Sequence, residues 1–156
     1  MFCRSILGAL IVLTSCTEKA SDNGCFINEA SRELISAVPI DDEEVYVIHY
    51  VVGGCSICMI ELQAWKKLLA GETPEVEGVP VYFIVNGQTP EDANYTFEKA
   101  DFRYPLIYDS AYVFQDSNGI SQKRIKQTLI VKGNRIVWEG NHERLACALE
   151  KIKSSI

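Results

Sequence analysis

The alternation of apolar and polar positions predicts strands and helices in turn from residue 26 onward. Residues 45–52 read Val-Tyr-Val-Ile-His-Tyr-Val-Val, a β-branched and aromatic run that is apolar on both faces except at His49. That is the composition of a central strand covered on both sides. After Gly53-Gly54 the period becomes helical over 56–70, with Cys58, Leu62, Trp65 and Leu69 on one stripe and Glu61, Gln63, Lys66 and Lys67 off it. Gly71 is a natural terminator for that helix. A second apolar run at 79–85 completes strand, helix, strand, a unit whose strands are parallel and whose crossover is right-handed.

The same pattern predicts the remaining elements. Asn28 caps a short helix over 26–38 carrying Ile27, Ala30 and Leu34 at helical spacing, Pro39 ends it, and 40–44 is an acidic turn. Thr89 caps a helix with Pro90 at its first position, running to about residue 100. A short strand covers 105–108, Asp109 or Ser110 caps a further turn or two of helix through Phe114, and Gly119 closes it. Residues 126–131 and 136–139 are two strands joined by Lys132-Gly133-Asn134-Arg135, a tight hairpin and hence an antiparallel pair. Asn141 caps a last helix with Leu145, Leu149 and Ile152 as its stripe. The fold class is α/β with a mixed sheet.

The chain has 156 residues and an apolar fraction of 47%, which suit one globular domain with a sizeable core. Its formal net charge is −6 and its basic residues are scattered, which argues against a nucleic-acid partner. Arg4 and the apolar stretch 6–13, too short to span a bilayer, mark an export signal over 1–15. Leu13-Thr14-Ser15-Cys16 matches the lipobox of bacterial lipoproteins, which makes Cys16 the lipidated first residue of the mature chain; cleavage as an ordinary signal peptide is the alternative. On the lipoprotein reading 16–25 is a flexible tether, 26–156 is the domain, and the N-terminal lipid holds it to a bacterial membrane, facing the periplasm or cell surface.

Export changes what the cysteines mean, because an oxidising compartment permits disulfides. Cys55-Ser56-Ile57-Cys58 lies between the apolar strand and the helix. Unsatisfied amides and partial positive charge at a helix N-terminus favour a thiolate there. Cys55, at the helix start, is the attacking thiol and Cys58, on the apolar stripe, the resolving one. A purely structural staple is a poor alternative, since so small a ring constrains the unfolded chain little. Cys25 and Cys147 either bridge the tether to the last helix or stay as two free thiols. His49 is either a core histidine with one satisfied nitrogen or a proton acceptor for Cys58. His142, beside a helix start, reads as a surface residue, and Trp65 as core.

This order of elements, with Cys-x-x-Cys after the first core strand, resembles the thioredoxin fold. The segment 101–109 is similar to the strand-then-Asp segment of membrane-anchored thioredoxin-like oxidoreductases, and 125–137 resembles their hairpin. The resemblance implies a central mixed sheet of four to five strands flanked by helices on both faces. It also implies thiol–disulfide exchange with partner protein disulfides or dithiols outside the cytoplasm, without a cofactor or resident metal. Carried onto this sequence, Cys55, Cys58 and His49 are the catalytic positions, and Gly54, Ser56, Ile57, Lys126 and Gln127 the substrate-binding ones. Three departures stand out. Gly53-Gly54 replace an aromatic shield before the first cysteine, which implies a more pliable loop; the usual cis-proline falls at Lys126, or less well at Gln127; and His49 stands where a buried carboxylate is common. The missing proline leaves a metal-binding or metal-delivery reading open, with His49 as a third ligand beside the cysteines, and a non-enzymatic interaction module is a further alternative. The peroxiredoxin pattern is not matched, because 51–54 lack its Thr or Ser and its Pro.

Overall fold

Two strands open the described chain, β1 (Cys25–Phe26) and β2 (Val45–Val52). The structure is a computed structural model and describes residues 25–26, 44–72, 74–87, 89–118, 127–133 and 135–155. As its composition demands, β2 is buried at every position from Tyr46 to Val51. It pairs in parallel with β3 (Val81–Asn86), from Val47 opposite Val81 to Val52 opposite Asn86. On its other side it pairs antiparallel with β5 (Thr128–Lys132). With β4 (Leu106–Tyr108) and β6 (Arg135–Gly140) the sheet order is β1-β6-β5-β2-β3-β4. The strand pair flanking the cysteine helix is thus parallel and the hairpin antiparallel, as the sequence predicts.

The sheet has six strands. The sixth is β1, which places Cys25 opposite Ile136 and Phe26 opposite Arg135. Residue 25 therefore belongs to the sheet and not to the tether, and residue 26 is strand and not helix. The physical reason is the free edge of β6, whose backbone groups need partners and take them from this segment. The rest of the helix predicted to residue 38, the acidic turn up to residue 43, and Cys16 lie outside the described residues.

Helix α1 (Ser56–Lys67) follows β2 and continues through a wider turn, Leu68–Glu72, where Gly71 at φ 84° ends it. Helix α2 (Pro90–Lys99) starts in a reciprocal cap: Thr89 Oγ1 accepts from the Asp92 amide, and the Thr89 amide donates to the Asp92 carboxylate, both at 3.2 Å. Helix α3 (Val113–Ser117) is short, and a single 3₁₀ turn, His142–Arg144, leads into α4 (Leu145–Ser154). Asn141 precedes that turn, but its side chain does not cap it. Its Oδ1 is buried without a hydrogen bond, and its Nδ2 donates to Glu143 instead.

The alternation along β2 divides the core. Val47 and Val51 join Cys58, Leu62 and Trp65 of α1, Phe97 of α2, and Leu145 and Leu149 of α4 on one face. Tyr46, Ile48 and Tyr50 join Ile84, Leu129, Val131 and Phe114 of α3 on the other. Helices thus cover both faces, and α1 is fixed to the sheet by side chains buried outright: Leu62 and Trp65 are 0% exposed. At ~1.5–3 kcal/mol for each large apolar side chain buried, this packing anchors the helix whose first turn carries the cysteines.

Candidate active site

β2 and β3 both end at the edge of a cleft, the position where parallel α/β sheets place their chemistry. Between Val52 and Cys55 the chain turns on two glycines. The Gly53 amide donates to the Asn86 carbonyl at 2.6 Å, and a Cβ at Gly53 would collide with that same oxygen. Gly54 adopts φ 74°, a conformation glycine takes without strain, and its amide donates to Thr96 Oγ1 at 2.7 Å. The loop expected to be pliable is therefore pinned at both amides, one to β3 and one to α2.

This turn delivers Cys55 to the N-cap of α1 in an extended conformation, φ −93° and ψ 117°. Its Sγ accepts a hydrogen bond from the Cys58 amide at 3.3 Å. A backbone donor at the positive end of a helix is the environment that favours a sulfur anion. Cys58, one turn later, is buried against the core at 2% exposure. Burial first, then a hydrogen bond to the Cys55 sulfur and the charge there, push its thiol up to about 12, while a backbone hydrogen bond with Val52 pulls the other way. The two thiols are chemically unlike: one is half-exposed and capped by an amide, the other is buried and held protonated. Neither is in a disulfide.

The cleft holds about 330 Å³ and is lined by Val52, Cys55, Cys58, Asn86, Tyr112, Gln115 and Gln127. Of the expected substrate-binding positions, Gly54, Ser56 and Ile57 surround Cys55 at the surface, with Ile57 46% exposed. Gln127, immediately before β5, is buried in the cleft, and its carbonyl accepts the Tyr50 amide at 2.8 Å. It therefore lines the same cleft as the two cysteines. Lys126 lies outside the described residues.

Sequence reasoning passed over Asn86, Tyr112 and Gln115. The signal was present in Asn86, a carboxamide ending an otherwise apolar strand. Asn86 Nδ2 donates to Tyr50 Oη at 2.8 Å and to Gln115 Oε1 at 3.3 Å. Tyr50 donates in turn to Asp109 Oδ2 at 3.4 Å, and Asp109 accepts the amides of Val113 and Phe114 at 2.8 and 3.0 Å. Burial, and then the Asp109 charge, push the Tyr50 hydroxyl up, so it stays a donor. Asp109 thus starts α3 through its side chain, as predicted, although Tyr112 is the backbone cap, in a left-handed conformation at φ 57°.

His49 is 2% exposed on the α1 face of β2. Its Nδ1 is hydrogen-bonded to Thr128 Oγ1 at 3.0 Å, its Nε2 has no partner, and its ring packs on Trp65, Phe83 and His142 at centroid distances of 4.9, 5.9 and 6.3 Å. Burial, reinforced by His142, lowers it from 6.5 to about 3. His142 is thus not a plain surface residue; it is half-buried against His49 and Trp65. Among the described residues no three His, Cys, Asp or Glu side chains are grouped to hold a metal ion, so His49 is not brought to the cysteines as a third ligand. Cys147 is disulfide-bonded, which removes the reading of it as a free thiol.

No protein-family profile and no curated protein matches the sequence. Solved structures do match. The thioredoxin domain of a thiol-disulfide oxidoreductase from Bacteroides vulgatus superposes with a TM-score of 0.55 at 17% identity, over 71% of this chain and 80% of that one. A secreted disulfide oxidoreductase from Mycobacterium tuberculosis gives 0.55 at 10% identity, over 70% and 82%. A secreted thiol-disulfide isomerase from Corynebacterium glutamicum gives 0.51 at 21% identity, over 71% and 72%. The fold is the thioredoxin fold, with Cys55 and Cys58 at its strand-to-helix junction.

Proposed function

We propose that the protein is an exported thiol–disulfide oxidoreductase that exchanges disulfides with partner proteins through Cys55 and Cys58, and that a lipid on Cys16 tethers it to a bacterial membrane. The observation that carries this reading is the asymmetry of the pair: the Cys55 sulfur accepts a helix-start amide at 3.3 Å while Cys58 lies buried behind it in the same cleft. The Cys55 thiolate attacks one sulfur of a partner disulfide, forming a mixed disulfide and releasing the other sulfur as a thiolate. Cys58 then loses its proton to water in the cleft and attacks Cys55 Sγ, which breaks the mixed disulfide and releases the reduced partner. Two of the influences that hold Cys58 protonated are the hydrogen bond to Cys55 and the charge on it. Both vanish once Cys55 is in a mixed disulfide, so Cys58 ionises more readily at the step that needs it.

His49 is better supported as a packing residue than as a proton acceptor for Cys58. A ring held neutral down to about 3 is a weak base toward a thiol at about 12, and its Nδ1 is already engaged by Thr128. Export and anchoring rest on the N-terminal sequence and accord with the secreted proteins among the structural matches. Among the described residues no helix is long and apolar enough to cross a membrane. The test is reduction of a disulfide-linked peptide pair by the parent protein and two variants. Cys55→Ser abolishes exchange, and Cys58→Ser accumulates a mixed disulfide visible by mass; full activity in both variants would refute the assignment. Loss of labelled palmitate from a Cys16→Ala variant tests the anchor.

A further inference from the structure

Among the described residues the lining of the cleft beside the cysteines carries no charged side chain; it consists of three carboxamides, Asn86, Gln115 and Gln127, with Tyr112 and Val52. The hydrogen bonds of these amides are spent unequally. Both hydrogens of Asn86 Nδ2 are engaged, one by Tyr50 Oη and one by Gln115 Oε1. Tyr50 is itself oriented by Asp109, which is oriented by two α3 amides. Polarity along this chain therefore runs one way, and the amide of Asn86 cannot reverse without setting its oxygen against two acceptors, Tyr50 Oη and Gln115 Oε1. What remains is Asn86 Oδ1, an acceptor with no donor among the described residues. Gln115 Nε2 and the side chain of Gln127 are likewise unspent.

We infer that Asn86 is a substrate-contacting specificity residue whose Oδ1 accepts a main-chain N–H of the partner segment that carries the disulfide. The inference rests on the exchange reading above for the identity of the ligand. Three features support it. Asn86 lies opposite Val52 in the parallel register and its carbonyl holds the Gly53 amide, so its side chain has a fixed position relative to Cys55. At 2% exposure it is a buried polar group with one acceptor left, and such an atom loses least when a ligand N–H reaches it. Finally, the carboxamides of the lining offer the donors and acceptors that a peptide bond requires.

The test is a thermodynamic cycle on peptides, with dissociation constants measured by NMR in a Cys55→Ser background where no exchange occurs. An uncharged peptide with a central serine in place of the attacked cysteine is compared with versions N-methylated at each flanking residue in turn. In the protein with Asn86 intact, methylation at one position weakens binding about tenfold, the worth of one buried hydrogen bond. In Asn86→Leu the unmodified peptide is already weakened and that methylation costs nothing further. An equal methylation cost in both proteins, or none at any position with Asn86 intact, overturns the inference. Should Asn86→Leu fail to fold, the methyl scan on the protein with Asn86 intact, followed through the side-chain amide signals of Asn86, decides it alone. Failure of the parent protein to reduce any disulfide would sink the exchange reading without touching these binding constants.

Discussion

Replacing His49 by phenylalanine isolates one buried ionisation and makes its consequence for stability measurable. In the folded chain the ring stays neutral down to about 3, against an ordinary value of 6.5 once unfolded. Between those two pH values the unfolded chain binds a proton that the folded chain refuses. The contribution is therefore fully present above pH 6.5 and is lost as pH falls toward 3. Each pH unit of this window is worth ~1.4 kcal/mol, so the native protein loses ~3 kcal/mol between pH 6.5 and 4 from this group alone. Phenylalanine keeps the ring against Trp65 and Phe83 but leaves the Thr128 hydroxyl without its partner, an offset of ~1–3 kcal/mol that does not vary over this range. Urea unfolding followed by tryptophan fluorescence from pH 4 to 7.5, with the cysteine pair held in one redox state, gives the difference between the two proteins at each pH. That difference should fall by ~3 kcal/mol from pH 7 to 4 as the histidine protein loses its advantage. A difference independent of pH would refute the reasoning, since it would mean that His49 titrates alike in the folded and unfolded chains.

Other consequences are simpler to check. Gly53→Ala drives a methyl group into the Asn86 carbonyl oxygen, so the variant should lose ~1–3 kcal/mol in a denaturant melt and exchange disulfides more slowly; an unchanged variant would contradict the close approach. Truncating Trp65, wholly buried and packed on His49 and Phe83, to alanine should cost ~3–5 kcal/mol, and a loss under 1 kcal/mol would contradict its place in the core. Cys147 is disulfide-bonded while Cys55 and Cys58 are in no disulfide. If Cys3 leaves with the proposed signal and Cys16 carries the proposed lipid, Cys25 is the expected partner, and peptide mapping without reductant should recover 25 and 147 in one linked fragment.

Most of the scaffold was legible because it rests on local pattern. The run 45–52 could only be a doubly covered strand, Thr89-Pro90 could only begin a helix, and the Lys132-Gly133 turn joins the antiparallel pair it predicts. The placement of Cys55 was legible for the same reason, since an N-cap position follows from strand, glycines and helix in sequence order. What escaped depended on distant partners. Asn86 looked like the residue after a strand, and only the register opposite Val52 brings it into the cleft. The pair of glycines read as looseness, because the groups that hold them, Asn86 and Thr96, stand 33 and 42 residues further on. His142 looked like a surface residue because its contact with His49 crosses most of the chain. Asn141 had the right residue type for a cap but turns its amide to Glu143.

The claim on which the account depends is that Cys55 is the reactive thiol and Cys58 the protonated reserve. Brief alkylation of the fully reduced protein with iodoacetamide at pH 7, with the sites assigned by mass spectrometry, tests it directly. Cys58, held up to about 12 by burial and by Cys55, should remain unmodified while Cys55 is consumed. Modification of Cys58 first, or of both cysteines at equal rates, would contradict the account.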